Sequence, residues 1–246
     1  MAPSYDQFAP HFDAWQAAFG GSYDALILPR LLAALRGFAP AARRVADLGV
    51  GTGDLVVALA EQGYEMTGFD VSRPMLAVAA GKIEAAGVRP APVLIEQDIR
   101  ELRLDPPVDA CICVYTVVNQ LVDDGDLQRL FGAVHRSLVH AGIFIFEMNL
   151  PAAYEQWWTG EDETRVEEVR VRRRHRRRDD SPVIEAEVTI ESADGQVTHD
   201  LLCQRPYADD EIEAAVAATH FTVEWREAFD PFGGTEDTKA LWVVRR

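Results

Sequence analysis

One aspartate and three glycines occupy every second position of one short stretch, as Asp47, Gly49, Gly51 and Gly53, and a second aspartate, Asp70, follows farther on. Glycine lets a backbone turn sharply and approach a ligand that a Cβ atom would keep away. In doubly wound folds, an acid at the tip of the second strand accepts both hydroxyls of an adenosine ribose, as Asp70 would. The charge of Asp47 repels a diphosphate and attracts an amino group. These residues therefore point to a ligand with both a ribose and an ammonium group.

The residues around them predict a strand, a glycine turn, a helix and a second strand. Residues 44–48 are typical of a buried parallel strand. Apolar residues predominate over 55–62, as in a helix whose first N–H groups and positive dipole end face the ligand. The third glycine comes one residue earlier than in the dinucleotide fingerprint G-x-G-x-x-G. The two lysines, Lys82 and Lys239, belong to no Tyr-x-x-x-Lys motif. An NAD-dependent oxidoreductase is therefore the disfavoured alternative.

The complete motif resembles that of one protein family. Val45-x-Asp47-x-Gly49-x-Gly51-x-Gly53, with the acidic strand tip at Asp70, is similar to the hallmark of class I, Rossmann-like methyltransferases that use S-adenosylmethionine (SAM). The resemblance implies an α/β fold with a seven-stranded sheet, SAM as cofactor and S-adenosylhomocysteine (SAH) as product. It also implies contacts with adenine, from the side chains of Val71, Met75 and Asp98 and from the backbone N–H of Ile99. Val71 and Met75 fit a core role equally well, and Asp98 fits an ordinary turn.

The loop after the predicted fourth strand, residues 109–114, also matches a subgroup of this family. Ligands bind outside the carboxyl ends of strands in open α/β sheets, which is where this loop begins. It resembles the loop of sugar-amine and other small-molecule N-methyltransferases, with Tyr115, Thr116 and Asn119 at the matching places. The resemblance implies that these three residues bind the cofactor.

The tip of the fifth strand carries two further polar residues, Glu147 and Asn149. Together with Tyr115 they are the candidates for catalysis. Transfer of an activated methyl group is an in-line displacement, in which positioning alone supplies on the order of 7–11 kcal/mol. An amine must only lose its proton, whereas an oxygen nucleophile needs a base such as His11, His199 or Glu147. The sequence leaves that choice open.

Aromatic residues recur near the start of the chain at steps of three or four, as on one face of a helix. Such a face either packs on the core or forms a lid over the cofactor. The segment resembles the opening of small-molecule methyltransferases, which implies that Tyr23 covers the methionine end of SAM. The residues of this face are Tyr5, Phe8, Phe12, Trp15 and Phe19.

From Pro151 onward the pattern changes to that of an antiparallel sheet. Turns separate three predicted strands, at residues 166–176, 183–191 and 196–205. A parallel core would need long crossovers to include them, so we predict an inserted flap beside the active site. Its arginine run, residues 170–178, is favoured to pair with acids of the next strand over forming an anion-binding patch. These acids are Glu185, Glu187 and Glu191.

The chain is thus predicted to have four parts. They are an N-terminal helical lid (1–40), a SAM-binding Rossmann-like core (41–150), an inserted antiparallel flap (151–207), and a last helix with the closing hairpin of the core (208–246).

The composition of the chain limits the kinds of partner and the location that we expect for it. A formal net charge of −16 argues against nucleic acid. The three cysteines lack the spacing of metal ligands, so we expect no metal site, and they indicate reduced thiols. Neither a signal sequence nor a membrane-spanning run is evident, and we therefore expect a cytoplasmic protein. The prediction is a SAM-dependent methyltransferase acting on N or O of a small-molecule acceptor. A non-catalytic SAM-binding regulatory protein and a homodimer through the flap stay open.

Overall fold

The computed structural model describes residues 5–17, 23–166, 168–192 and 194–246. Two sheets, of seven and four strands, organise it. The strands in chain order are β1 (Arg44–Leu48), β2 (Glu65–Asp70), β3 (Val93–Glu96), β4 (Val108–Cys113), β5 (Leu138–Asn149), β6 (Glu161–Val166), β7 (Val169–Arg177), β8 (Ile184–Glu191), β9 (Val197–Gln204), β10 (Thr222–Phe229) and β11 (Lys239–Arg245).

The larger sheet has the strand order β10-β11-β5-β4-β1-β2-β3. Strand β1 pairs in parallel with β2 on one side and with β4 on the other, so the winding direction reverses there. Ligand crevices of open α/β sheets form at such a reversal. Strand β11 runs antiparallel between β5 and β10. The predicted fold class, a Rossmann-like seven-stranded sheet with a separate antiparallel flap, is confirmed.

Helices cover both faces of the larger sheet. Alternate residues of β1 show why both faces are buried, since Val45 packs on the side of α2 and α3 and Leu48 on the side of α5 and α7. The side chain of Ser72 caps α4 by accepting the backbone N–H of Met75. The helices are α1 (Phe12–Ala17), α2 (Tyr23–Phe38), α3 (Asp54–Glu61), α4 (Arg73–Ala86), α5 (Asp126–Ser137), α6 (Pro151–Trp157) and α7 (Asp209–Ala218).

The flap sheet has four antiparallel strands in the order β6-β7-β8-β9. The prediction of three strands was wrong because it missed β6, whose sequence Glu-Asp-Glu-Thr-Arg-Val lacks apolar alternation. Strand β6 supplies acids to the arginine-rich β7, and the guanidinium of Arg173 donates two hydrogen bonds of 2.9 Å to Asp162. Its polar sequence is therefore explained by pairing across the ladder.

The arginine run also pairs with β8 on its other side, as the sequence favoured. Arg170 lies 3.3 Å from Glu191. Arg176 lies 2.6 Å from Glu185, which Arg178 also approaches to 2.9 Å. Most of the positive charge on this strand is thus balanced within the flap.

The aromatic face near the start of the chain packs on the flap. Phe8 is buried in a cluster with flap residues, and Trp15 lies under the guanidinium of Arg173, 5.2 Å from the ring centroid. The aromatic side chains of this face therefore pack mainly on the flap, while residues Ala9–His11 between them lie against α4 of the core. Phe19 lies outside the described residues. The flap partners of Phe8 are Val171, Ala186, Val188, Ile190 and Leu202.

No helix in these described ranges is both long enough and apolar enough to cross a membrane. The division of the chain at residues 41, 151 and 208 stays a prediction.

Candidate cofactor and acceptor site

The glycine loop, residues 49–53, leads from β1 into α3 with a left-handed backbone at all three of its glycines. A Cβ on Gly49 would lie 2.5 Å from Val117 Cγ2, and one on Gly53 would lie 2.7 Å from Ala79 Cβ. Packing within the protein therefore accounts for these two glycines. A Cβ on Gly51 would meet nothing within 4 Å. Gly51 is thus the position in this loop at which bare backbone leaves room for a ligand.

Asp70 holds the loop in place. Its two carboxylate oxygens accept the backbone N–H groups of Gly51 and Ser72, each at 2.9 Å. Burial raises the pKa of Asp70 above its ordinary value, and these N–H groups oppose that rise. Each carboxylate oxygen has a further lone pair, so the side chain can accept ligand hydroxyls while it orders the loop.

A cavity of about 510 Å³ lies beside the glycine loop, and we call it the smaller cavity. Four aspartates and one lysine contribute to its described lining, so it favours a cationic ligand over a diphosphate. The structure brings together here most of the predicted cofactor residues. They are Asp47, Gly49, Gly51, Gly53, Asp70, Val71, Met75, Ile99 and Tyr115.

Asp98 is not among the lining residues of this cavity. Its carboxylate accepts hydrogen bonds from the guanidinium of Arg100, the shortest of 2.6 Å. These bonds hold the pKa of Asp98 below its ordinary value, and Arg100 also contacts the buried Asp126. The structure thus gives Asp98 a role in fixing its own turn, while its predicted contact with adenine stays untested.

Tyr115 and Thr116 form a turn at the carboxyl end of β4 in which both residues have positive φ, 61° and 60°. Non-glycine residues rarely adopt this conformation, so surrounding contacts must hold it. Glu147 accepts the N–H of Thr116 at 3.2 Å, and Gln204 of the flap donates to the Thr116 hydroxyl at 3.1 Å. The turn places Tyr115 in the lining of both cavities of the site.

Glu147 is fully buried and lines neither cavity. Lys239 Nζ lies 2.6 Å from its carboxylate and 2.9 Å from Asn149 Oδ1. The buried ion pair sequesters the charge of Glu147 and disfavours a direct contact with substrate, which stays a prediction. Asn149 does line the larger cavity, beside Lys239.

Asn119 is also fully buried and lines neither cavity. Its amide donates to the carbonyl oxygens of Asn149 and Arg205, and its side-chain oxygen accepts the N–H of Asn149 at 2.8 Å. These bonds use the amide to join β5 to the end of the flap, and the predicted contact of Asn119 with the cofactor stays a prediction. Tyr23 begins α2, but its side chain falls outside the described residues.

The second, larger cavity has a volume of about 1160 Å³ and lies between the core and the flap. Each charged side chain of its described lining has an opposite charge nearby. Arg173 faces Asp162, Lys239 faces Glu147, and Glu163 lies 3.5 Å from Arg170. Aromatic rings form much of the wall. They are Tyr5, Phe12, Trp15, Tyr115, Trp157, Trp158 and Phe232.

The three bases named for an oxygen nucleophile do not reach this cavity. His11 and His199 are absent from the described lining, and His199 lies on the flap surface, 3.2 Å from the Thr189 hydroxyl. Glu147 is paired with Lys239. The described lining contains no histidine at all.

Lys82 and Lys239 each line a cavity, a role that sequence reasoning missed. Their rarity is the signal that could have found them, because they are the two lysines among 24 basic residues. Arginine serves the other cationic positions of the chain.

Comparison with known proteins identifies part of the chain. Residues 45–142 match a family model described as a methyltransferase domain. The chain carries a methyltransferase domain. This segment contains β1 with the glycine loop, Asp70 and the turn at Tyr115, and the resemblance inferred from those residues is confirmed.

Two curated relatives align with the methyltransferase domain. A putative methyltransferase from Bacillus subtilis is 35% identical over 112 residues, which cover 45% of this chain and 44% of the relative. A demethylmenaquinone methyltransferase from Thermus thermophilus is 30% identical over 140 residues, which cover 56% of this chain and 60% of the relative. The chain therefore spans about half the length of these relatives.

Solved structures match beyond the methyltransferase domain, over nearly the whole chain. A SAM-dependent methyltransferase from Clostridium acetobutylicum superposes with a TM-score of 0.80, at 21% identity and over 98% of each chain. An amino pentose methyltransferase from Micromonospora echinaspora, solved with SAM bound, has a TM-score of 0.74, at 23% identity and over 96% of each chain. At such identities these comparisons establish the fold, flap included.

Proposed function

We propose that the chain transfers the methyl group of SAM to a nitrogen atom of a small-molecule acceptor. The observation that carries the proposal is the position of Tyr115, in the walls of an acid-rich smaller cavity and of a large aromatic one. A cofactor in the first and an acceptor in the second would meet at this residue. The methyltransferase domain and the SAM-dependent enzymes that share the fold support the same conclusion.

The smaller cavity fits SAM residue by residue. Asp70 would accept the ribose hydroxyls, Asp47 would attract the amino group, and the backbone at Gly51 would approach the ligand. Met75 and Ile99 are buried apolar residues of the lining, suited to an adenine ring. When bound, SAM supplies a sulfonium-activated methyl group, so the protein's task is to orient the acceptor in line with it.

The charge of the smaller cavity supports SAM over NAD. Four lining aspartates face one lysine, and the ligand of an oxidoreductase would bring a diphosphate into that negative field. SAM brings a sulfonium and an ammonium against one carboxylate. The charge of the cavity therefore adds to the glycine spacing as an argument against an NAD-dependent oxidoreductase.

Nitrogen is favoured over oxygen as the methyl acceptor because the described lining of the larger cavity offers no uncommitted base. Its carboxylates, Asp162 and Glu163, are paired with arginines, and it contains no histidine. A neutral amine attacks the methyl carbon with its own lone pair as the carbon–sulfur bond breaks, yielding SAH and a methylated ammonium that later loses a proton. An alcohol would need a base during the step itself.

The acceptor is then a small molecule that carries an amine and enters without net negative charge. The aromatic wall stabilises a ring face or a cation, and the lining charges are already balanced. Amino sugars are one such class, since the similar Micromonospora protein is an amino pentose methyltransferase.

Parallel calorimetric titrations with SAM, SAH and NAD test the cofactor assignment. We expect micromolar binding of SAM and SAH and none of NAD, and NAD binding alone would overturn the proposal. SAH formation is then measured with matched acceptor pairs, each an amine and the alcohol of the same skeleton, in amino-sugar and aromatic series. Turnover of alcohols but not amines would refute nitrogen transfer, and SAM binding without turnover of either series would favour a non-catalytic binding protein.

Cellular location and assembly stay predictions. The described cysteines are buried free thiols, which agrees with the expected cytoplasmic location. Sedimentation equilibrium would test the homodimer through the flap, which the sequence leaves open.

A further inference from the structure

Lys82 joins three separate pieces of the smaller cavity. It lies on α4, and its Nζ is 2.6 Å from Asp13 of α1 and 2.6 Å from Asp54, the first residue of α3. It also donates to the Thr52 hydroxyl of the glycine loop at 3.2 Å. One ammonium group therefore bridges the N-terminal segment, residues 5–17, to the loop that faces the ligand.

A second bond runs in parallel with this bridge. The Thr52 hydroxyl donates to Asp13 Oδ1 at 2.5 Å, and Thr52 itself is buried. Asp13 is thus held on one side by a cation and on the other by the glycine loop. The N-terminal segment is also anchored by its aromatic packing on the flap and by residues Ala9–His11, which lie against α4.

The bridge ties part of the outer wall of the smaller cavity to α4 and the glycine loop. Phe12, Asp13, Gln16 and Ala17 of the N-terminal segment all contribute to the lining. If the ion pair with Lys82 is lost, Asp13 keeps, among its described contacts, the hydrogen bond from the Thr52 hydroxyl. A ligand in the cavity would be freer to leave on that side.

The bridge also sorts the four lining aspartates into two kinds. Asp13 and Asp54 share the single positive charge of Lys82. Asp47 and Asp70 are the pair to which the proposed function gives the amino group and the ribose. Without Lys82, two further negative charges would compete for the cationic parts of the cofactor.

We propose that Lys82 is a positioning residue that clamps the N-terminal segment closed over the bound cofactor and slows its release. The inference rests on the proposed function for the identity of the ligand, but the clamp itself is a property of the protein alone. Its two carboxylate partners, Asp13 and Asp54, are partly exposed. Each ion pair is therefore modest, and the combined effect is roughly a three- to tenfold change in dissociation rate.

The test measures SAH dissociation by stopped-flow fluorescence and hydrogen exchange over residues 5–17 in the ligand-free protein. The variants are Lys82→Met, Lys82→Arg as the conservative rescue, and Asp13→Asn on the other side of the clamp. Arg73→Met is the matched control, because Arg73 lies on the same helix in a 2.9 Å pair with Glu96 but lines neither cavity. Thermal unfolding checks that each variant is folded.

We expect Lys82→Met and Asp13→Asn to release SAH three- to tenfold faster and to exchange faster over residues 5–17. Lys82→Arg and Arg73→Met should stay within about twofold of the wild type. The double variant Lys82→Met/Asp13→Asn should add little to Lys82→Met alone, because both changes remove the same ion pair between Lys82 and Asp13. Wild-type release and exchange in Lys82→Met would overturn the clamp. If the wild type binds neither SAM nor SAH, the proposed function fails, and the exchange measurement alone decides on the clamp.

Discussion

The buried pair of Lys239 and Glu147 gives the sharpest prediction about stability. The two side chains are 9% and 0% exposed and their charged atoms are 2.6 Å apart. Replacing Lys239 with Met keeps the length and removes the charge, which leaves the Glu147 carboxylate buried without its cation. Breaking a buried pair in this way costs about 3–5 kcal/mol. Against a total stability of roughly 5–15 kcal/mol, that is a large fraction.

The assay is urea unfolding at 25 °C, followed by circular dichroism, for the wild type, Lys239→Met, Glu147→Gln and the double variant. We expect the double variant to be more stable than Lys239→Met, because it no longer buries an unpaired charge. Arg174→Met is the control, since its pair with Glu161 is more than two-thirds exposed on both sides and should contribute at most about 1 kcal/mol.

The same ion pair is connected to the turn at Tyr115. Glu147 also holds the N–H of Thr116, so Glu147→Gln should disturb the turn that places Tyr115. A loss of less than 1 kcal/mol in Lys239→Met, no larger than that of the exposed control, would refute the argument that burial makes this pair costly to break.

Three further predictions concern the cofactor side. Asp70→Asn should weaken SAM binding by about 10- to 100-fold through lost charge-assisted hydrogen bonds. The pKa of Asp70 is raised and its ionised form binds the ligand, so the affinity of the wild type, measured by calorimetry, should fall as the pH drops through that pKa. The variant should lack this fall. Gly53→Ala should destabilise the fold by at least 1–3 kcal/mol, which is roughly the cost of alanine in a left-handed conformation, because the new Cβ would in addition meet Ala79. Gly51→Ala should lose less stability in urea unfolding, because its Cβ meets nothing, and should mainly weaken SAM binding. The two buried thiols of β4, whose pKa values burial raises, should resist iodoacetamide at pH 8 until the protein is unfolded, and rapid labelling of the folded protein would contradict their burial.

Local patterns carried the prediction of the sheet and of the smaller cavity. Glycine spacing and the acid at Asp70 specify their geometry within one βαβ unit, so they can be read without knowing the rest of the fold. The same reasoning placed Glu147 correctly at a strand tip. It did not find the partner of Glu147, because Lys239 is 92 positions away and meets it only through the pairing of β5 with β11.

Residues fixed by the flap were beyond sequence reasoning for the same physical reason. Asn119 matched a family position, yet the carbonyl of Arg205 that engages its amide lies 86 positions away. Strand β6 has no apolar alternation to reveal it, and only the charges of β7 explain it. Contacts between distant segments depend on the assembled fold, which no local period encodes.

The packing of Phe8 on the flap has a consequence for synthesis of the chain. Its buried partners extend to Leu202, so the ribosome makes almost two hundred more residues before the last of them exists. At 5–20 residues per second, that takes roughly 10–40 s. During this interval the aromatic residues of the nascent chain have no native cover and are open to chaperones or to association with other chains. Completion of β9 ends that exposure, which makes the flap a late step in folding as well as a wall of the larger cavity.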